Sequence, residues 1–233
     1  QVYCFLGKPL YSLLFRAPNE EYIDKWLKGE YKPRDINEIF KDLVDFYQTT
    51  FDLMKKADAV ILALHTVTSW LRDVLEAFFY VGIDATKGAG KTSLLYAMSL
   101  LSKHGVMAGD ISTSYLARAT DKLKLNLFID ELDQAPSERK AELEGILRKG
   151  QRKGNPYTRI NPNTMEPESF EVHGAHAFSF RTTIEDALAH RCLPIRLRVS
   201  TDVSLPVLNY HIKLLTERLF NELFFYFFEN MRR

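Results

Sequence analysis

Cysteine is scarce. Cys4 and Cys192 are the only two, far apart and without a CxxC neighbour. That excludes a disulfide framework and a thiolate zinc site, and makes a reduced, cytoplasmic setting the expectation. Net charge is nearly absent as well: 31 Lys and Arg against 30 Asp and Glu leave +1, so a case for nucleic acid has to be local. Long apolar runs are missing. The longest, Ala57 to Leu64 and Leu75 to Ile83, fall far short of the roughly twenty residues of a membrane span, and no membrane association is expected. His173 and His176 form one close histidine pair without acidic or thiolate ligands at metal spacing, and read as structural or solvent-facing. There is no internal repeat or low-complexity tract, and a hydrophobic content of 46% argues against general disorder. The chain opens at Gln1 with neither Met nor a signal-peptide pattern, and reads as a piece of something longer.

What is present is an alternation of helical and strand patterns. Residues 1 to 18 carry two short apolar runs around Gly7-Lys8-Pro9 and read as a hairpin. Ile36, Ile39, Phe40, Leu43, Val44, Tyr47 and Phe51 recur at three- and four-residue spacing, an amphipathic helix, and a second helix is expected from about Asp58 to Glu76. Ala77 to Ile83 reads as a strand and Thr92 to Lys103 as a helix stopped by Gly105. A helix over Ser112 to Thr120, a buried strand over Leu125 to Ile129 and a helix over Ser137 to Lys149 closed by Gly150 follow. Strands at 157 to 160 and 169 to 173 flank Asn161 to Thr164, and Ala175 to Arg181 is a further strand. Thr183 to His190 reads as a helical turn or two, Ile195, Leu197 and Val199 as one buried strand face, and Leu208 to Met231 as a long helix. The class expected is α/β, a P-loop NTPase core with a mainly parallel sheet flanked by helices. It divides into an N-terminal hairpin and helical appendage over 1–57, the core over 58–205 and a C-terminal helix over 206–233.

The segment from Asp84 to Ser93 carries the chemistry. Ala85-Thr86-Lys87-Gly88-Ala89-Gly90-Lys91-Thr92 fits GxxxxGK(S/T), the Walker A pattern, with Ala85 in place of the first glycine. Glycines let successive N–H groups face the phosphates of ATP; Lys91 reaches the β- and γ-phosphates and Thr92 holds Mg²⁺. Downstream, the buried run ends in Asp130-Glu131, a Walker B pattern, in which Asp130 serves the Mg²⁺ and Glu131 orients the attacking water. Arg181-Thr182-Thr183 follows the strand at 175 to 180, where a polar γ-phosphate sensor belongs; either threonine suits, with Thr183 preferred. Arg191, ahead of the last strand, has the placement of an arginine finger.

On these motifs the sequence resembles the additional-strand P-loop ATPases, the group that contains the AAA+ proteins and many ring helicases. More narrowly it resembles a helicase-like ATPase family of plasmid, viral and mobile-element replication loci. The resemblance spans about residues 58 to 200. It is carried by Ile61 to Ser69, Lys87 to Leu95, Asp110 to Arg118, Leu127 to Asp133, Glu144 to Gly154 and Asp186 to Ile195. It implies a homo-oligomeric ring, a hexamer, in which Arg191 acts on a neighbour's nucleotide, and it implies movement on DNA.

Arg148, Lys149, Arg152, Lys153 and Arg159 place five positive charges within twelve residues. In ring translocases this region forms a hairpin facing the channel, so Arg152 and Lys153 are expected to contact phosphates of single-stranded DNA and Tyr157 to stack on a base. Arg148 and Lys149 also suit a solvated helix end. The competing reading is an ATP-dependent switch or remodeller acting on a protein partner. The aromatic run Phe224 to Phe228 reads as core or subunit contact.

Overall fold

The computed structural model describes residues 16–86, 88–109, 112–161, 163–181, 184–199 and 209–231. The N-terminal hairpin expected over 1 to 18 therefore lies almost wholly outside the described residues, as do Lys87, Thr182 and Thr183. Three helices come first: α1 (Glu20–Leu27), α2 (Ile36–Thr50) and α3 (Lys56–Trp70). The Asn19 and Asp35 side chains cap α1 and α2 by accepting the N–H groups of Glu21 and Asn37. The core elements then run β1 (Tyr80–Asp84), α4 (Lys91–Leu101), β2 (Gly105–Met107), α5 (Thr113–Leu123), β3 (Asn126–Ile129) and α6 (Ser137–Gly150). After these come β4 (Tyr157–Ile160), β5 (Pro167–Phe170), β6 (Ala177–Phe180), α7 (Asp186–Ala189), β7 (Cys192–Arg196) and α8 (Asn209–Asn230).

The main sheet has the order β2-β3-β6-β1-β7, and every pairing within it is parallel. A mostly parallel five-stranded sheet flanked by helices is thus the fold class the sequence pattern indicated. β6 lies between β1 and β3 at the centre of the sheet. Alternation along each strand divides the interior in two. Val81 and Ile83 of β1, Phe128 of β3 and Ala177 of β6 join α2, α3, α4 and α8 in one cluster. Tyr80, Leu127, Ile129 and Phe178 point to the opposite face, against α5, α6 and α7. The helices that the sequence sets apart as an appendage and a C-terminal segment, α2 and α8, therefore share one hydrophobic cluster with the α3 and α4 helices of the core.

Several boundaries differ from the sequence pattern for local reasons. α3 ends at Trp70, short of the expected Glu76, because Leu71 takes a non-helical cap conformation and its carbonyl accepts from Val74 and Leu75 in a turn. α4 ends at Leu101; Gly105 instead opens β2, where a Cβ would meet the Ser99 carbonyl oxygen at 2.1 Å. Ile195 in β7 and Leu197 just after it are buried as expected, whereas Val199 is 56% exposed. The aromatic run packs inward: Phe225 and Phe227 are buried, Trp70 stacks on Phe227 at 5.8 Å, and Trp26 donates its indole N–H to Glu229 at 2.7 Å. No helix among the described residues is long and apolar enough to cross a membrane.

Candidate functional site

The loop after β1 turns at Gly88 (φ 84°) and Gly90 (φ 88°), left-handed conformations that glycine adopts without Cβ strain. Gly90 is the N-cap of α4, so the first turn of that helix, Lys91 to Ser93, opens directly onto the loop. A Cβ built on Gly88 or Gly90 meets nothing within 4 Å, so the need for glycine at both positions is conformational and not steric crowding. Ala85 is not among the positive-φ residues, and its methyl is buried in the core. The departure from glycine at that position therefore costs the loop nothing. Thr86 is exposed, and its carbonyl accepts from Ala89 N–H at 3.3 Å. Lys91 is buried and its Nζ donates to the Ala85 carbonyl at 2.6 Å, so the amine is held across the base of the loop.

β3 delivers Asp130 and Glu131 beside this loop. Thr92 Oγ1 donates to Asp130 Oδ2 at 2.5 Å, joining the two residues assigned to Mg²⁺. Ser179 of β6 donates its hydroxyl to Asp130 Oδ1 at 2.5 Å and accepts the Glu131 N–H at 2.8 Å. Ser179 thus fixes both acids from the central strand, and motif spacing alone does not reveal it. The available signal is a serine between aromatic residues on a buried strand, Phe178-Ser179-Phe180. Glu131 has φ 49° and forms an ion pair with Arg181, whose backbone N–H donates to the Asp133 carboxylate at 3.1 Å.

The residues present fit a Mg²⁺–triphosphate. Among the described residues no group of three or more His, Cys, Asp or Glu side chains offers a metal site of its own. A hydroxyl and one carboxylate beside a helix N-terminus match the way Mg²⁺ is held when substrate phosphates and water complete its shell.

The remaining predicted residues lie elsewhere. Arg191 stands just before β7, where its carbonyl accepts from Tyr80 N–H and its Nη1 donates to the Ala187 carbonyl; its buried Nε has no hydrogen-bond partner. Arg152 and Lys153 belong to a short extended segment that pairs with residues 76–78 ahead of β1. Lys153 Nζ also reaches the Asp73 carbonyl at 3.3 Å. The Tyr157 ring lies on α6, within 3.4 Å of where a Cβ on Gly145 would stand. Arg148 pairs with Glu185 at 2.7 Å, and Arg159 pairs across the β4–β5 ladder with Glu168 at 3.1 Å. A groove of about 460 Å³ between α2 and α8, lined by Asp42, Phe46, Leu215 and Arg218, contains none of the residues expected at the nucleotide loop.

No family model matches the sequence, and no curated protein is similar to it. Among solved structures the chain is similar to the apo A form of the NrS-1 C-terminal region, at 14% identity and a TM-score of 0.47. That likeness covers 94% of this chain and 48% of the other, so the chain spans about half the length of that neighbour.

Proposed function

We propose that this chain binds ATP with Mg²⁺ in the loop from Asp84 to Ser93 and hydrolyses it. The observation that carries the reading is the chain of contacts from Thr92 through Asp130 and Ser179 to Glu131, set beside a left-handed glycine turn at a helix N-terminus. The N–H groups of Gly88 to Thr92 bind the phosphates, and Lys91 leaves the Ala85 carbonyl to reach the β- and γ-phosphates. Thr92 and Asp130 would hold Mg²⁺, which would supply charge neutralisation on the phosphate oxygens. Glu131 accepts a proton from the attacking water. The water oxygen bonds to the γ-phosphorus, the bond to the β–γ bridging oxygen breaks, and ADP leaves with that electron pair.

Glu131→Gln tests this directly. Phosphate release should fall at least a hundredfold while ADP affinity stays within twofold, and an unchanged rate would remove Glu131 from the mechanism. Lys91→Ala should abolish nucleotide binding itself.

The turnover is proposed to drive a hexameric ring along single-stranded DNA, with Lys149, Arg152 and Lys153 as exposed basic contacts. A second reading, a switch acting on a protein partner, is favoured by the internal pairing of Arg148 with Glu185 and of Arg159 with Glu168. Single-stranded DNA should stimulate the ATPase, and Arg152→Glu with Lys153→Glu should remove the stimulation. Absence of any DNA effect selects the switch.

A further inference from the structure

We infer that α3 pairs with the α3 of a second copy of this chain, antiparallel, about a two-fold axis beside Leu64. The 15 residues of α3 make a rod about 22 Å long, whose inner face is buried from Asp58 to Trp70. Its outer face is formed by Ala57, Val60, Leu64, Thr68 and Leu71, at three- and four-residue spacing. Val60 is 39% and Leu64 44% exposed, and Ala57 is exposed as well. Between Lys56 and Arg72 the only ionisable residues are Asp58 and His65, and both are buried on the inner side. The Thr68 hydroxyl donates to the His65 carbonyl at 3.0 Å, so it leaves no unmet donor on the face. A helix face turned to water ordinarily carries charge; one that is apolar all round is the mark of a buried helix.

The two ends of α3 identify what covers it. Lys55 and Lys56, the N-cap and the first helical residue, are both exposed, and Lys55 makes no side-chain cap bond. Two positive charges there oppose the helix dipole, so nothing within the chain accounts for them. Asp73 and Glu76 stand exposed just beyond the other end. Asp73 meets Lys103 at 3.1 Å yet keeps 62% of its side-chain surface exposed.

An antiparallel copy brings the acids of each chain to the lysines of the other. With Leu64 on the axis and facing its own counterpart, Val60 faces Thr68, Ala57 faces Leu71 and Lys55 faces Asp73, each pair occurring twice. A parallel pair would set lysine against lysine. An uncharged centre between ends of opposite sign is complementary to itself and gives no advantage to a partner of one sign. Such a contact is isologous and closes at two, whereas rings are built from heterologous contacts. It is therefore separate from the proposed ring and independent of the nucleotide reading.

Crosslinking of the full chain with a short thiol-to-thiol reagent tests the geometry. Leu64→Cys should give a covalent dimer, because a residue on the axis meets itself. Two copies of residue 57 would lie about 21 Å apart along the helices. Ala57→Cys and Leu71→Cys should therefore each give little dimer alone and at least tenfold more when mixed. The unmodified chain, with Cys4 and Cys192, sets the background. In sedimentation equilibrium Leu64→Glu should weaken the pairing at least a hundredfold and Lys55→Glu severalfold, both with unchanged circular dichroism. Dimer from Ala57→Cys alone equal to that from the mixture, or self-association untouched by Leu64→Glu, would overturn the pairing. An unmodified chain that stays monomeric at every concentration would overturn it too, and assign the face to a different partner.

Discussion

His176 has no exposed surface, and its ring is fully committed. Nδ1 accepts the Leu127 N–H at 3.0 Å, which leaves Nε2 as the donor to the Val172 carbonyl at 2.8 Å. His65 donates Nε2 to the His176 carbonyl at 3.1 Å, and its buried Nδ1 has no hydrogen-bond partner. Burial pushes both histidines down, to about 3 for His176 and about 4 for His65. Above pH 6.5 both are neutral whether the chain is folded or not, and nothing is lost. Below it the unfolded chain binds protons that the native state refuses, so stability falls as pH drops and levels off only near pH 3 to 4. At pH 5.5 the pair costs roughly 3 kcal/mol relative to pH 7.5. Urea denaturation at the two pH values measures this, and a flat profile would show that the rings protonate in the native state. Ala85 gives a second expectation at this scale. Because its conformation is ordinary and its methyl is buried, Ala85→Gly should destabilise the fold by about 1 kcal/mol and leave nucleotide affinity unchanged. A gain in affinity would show that the loop wants the glycine of the pattern after all.

At the scale of elements, legibility followed how local each signal was. The glycine turn, the Asp130-Glu131 pair and α2 are written in contiguous residues whose periodicity or spacing carries the physics. β2 was missed because three residues opening on Gly105 have no alternation to detect. α1 was missed because its sequence is polar and it contains no buried residue. Ser179 and the Arg181–Glu131 pair were invisible for another reason: each depends on β6 standing between β1 and β3, and strand order is not encoded in motif spacing. Charge partners behave alike, since Arg148 meets Glu185 only after α6 and α7 have been packed together. Gly150 shows how a correct residue can carry the wrong reason. It reads as a helix stop, yet it is the last residue of α6, and the positive φ falls at Gly154. What requires glycine is proximity: a Cβ there would meet the Val172 carbonyl oxygen at 2.5 Å and His176 Nε2 at 2.9 Å. Gly150→Ala should therefore cost about 2 kcal/mol by displacing α6 from the histidine-tied strand end. If it proves neutral in thermal denaturation, the close approach is softer than these distances imply.

For the whole molecule, the sheet has a chemical polarity. The glycine loop, Asp130, Glu131 and Arg181 follow the carboxyl ends of β1, β3 and β6, the end at which open parallel sheets bind ligands. Arg191 precedes β7, and Arg152 and Lys153 pair ahead of β1, so these cations stand at the amino end. Strands of four and five residues separate the two ends by roughly 15 Å. Under the proposed reading Arg191 stands too far from its own chain's nucleotide loop to reach it, and any role for it in phosphoryl transfer requires a neighbouring subunit. Its guanidinium now donates to the Ala187 carbonyl, and assembly would have to draw it off α7. A mixing experiment decides the matter. Lys91→Ala removes nucleotide from one subunit and leaves Arg191 intact; Arg191→Ala keeps the nucleotide site and removes the finger. Each variant alone should be nearly inactive, whereas their mixture should recover a substantial fraction of the ATPase, because intact sites then face intact arginines. No recovery on mixing, or full activity of Arg191→Ala alone, would make Arg191 a structural residue at the start of β7 and confine the proposed hydrolysis to each chain's own loop and Glu131.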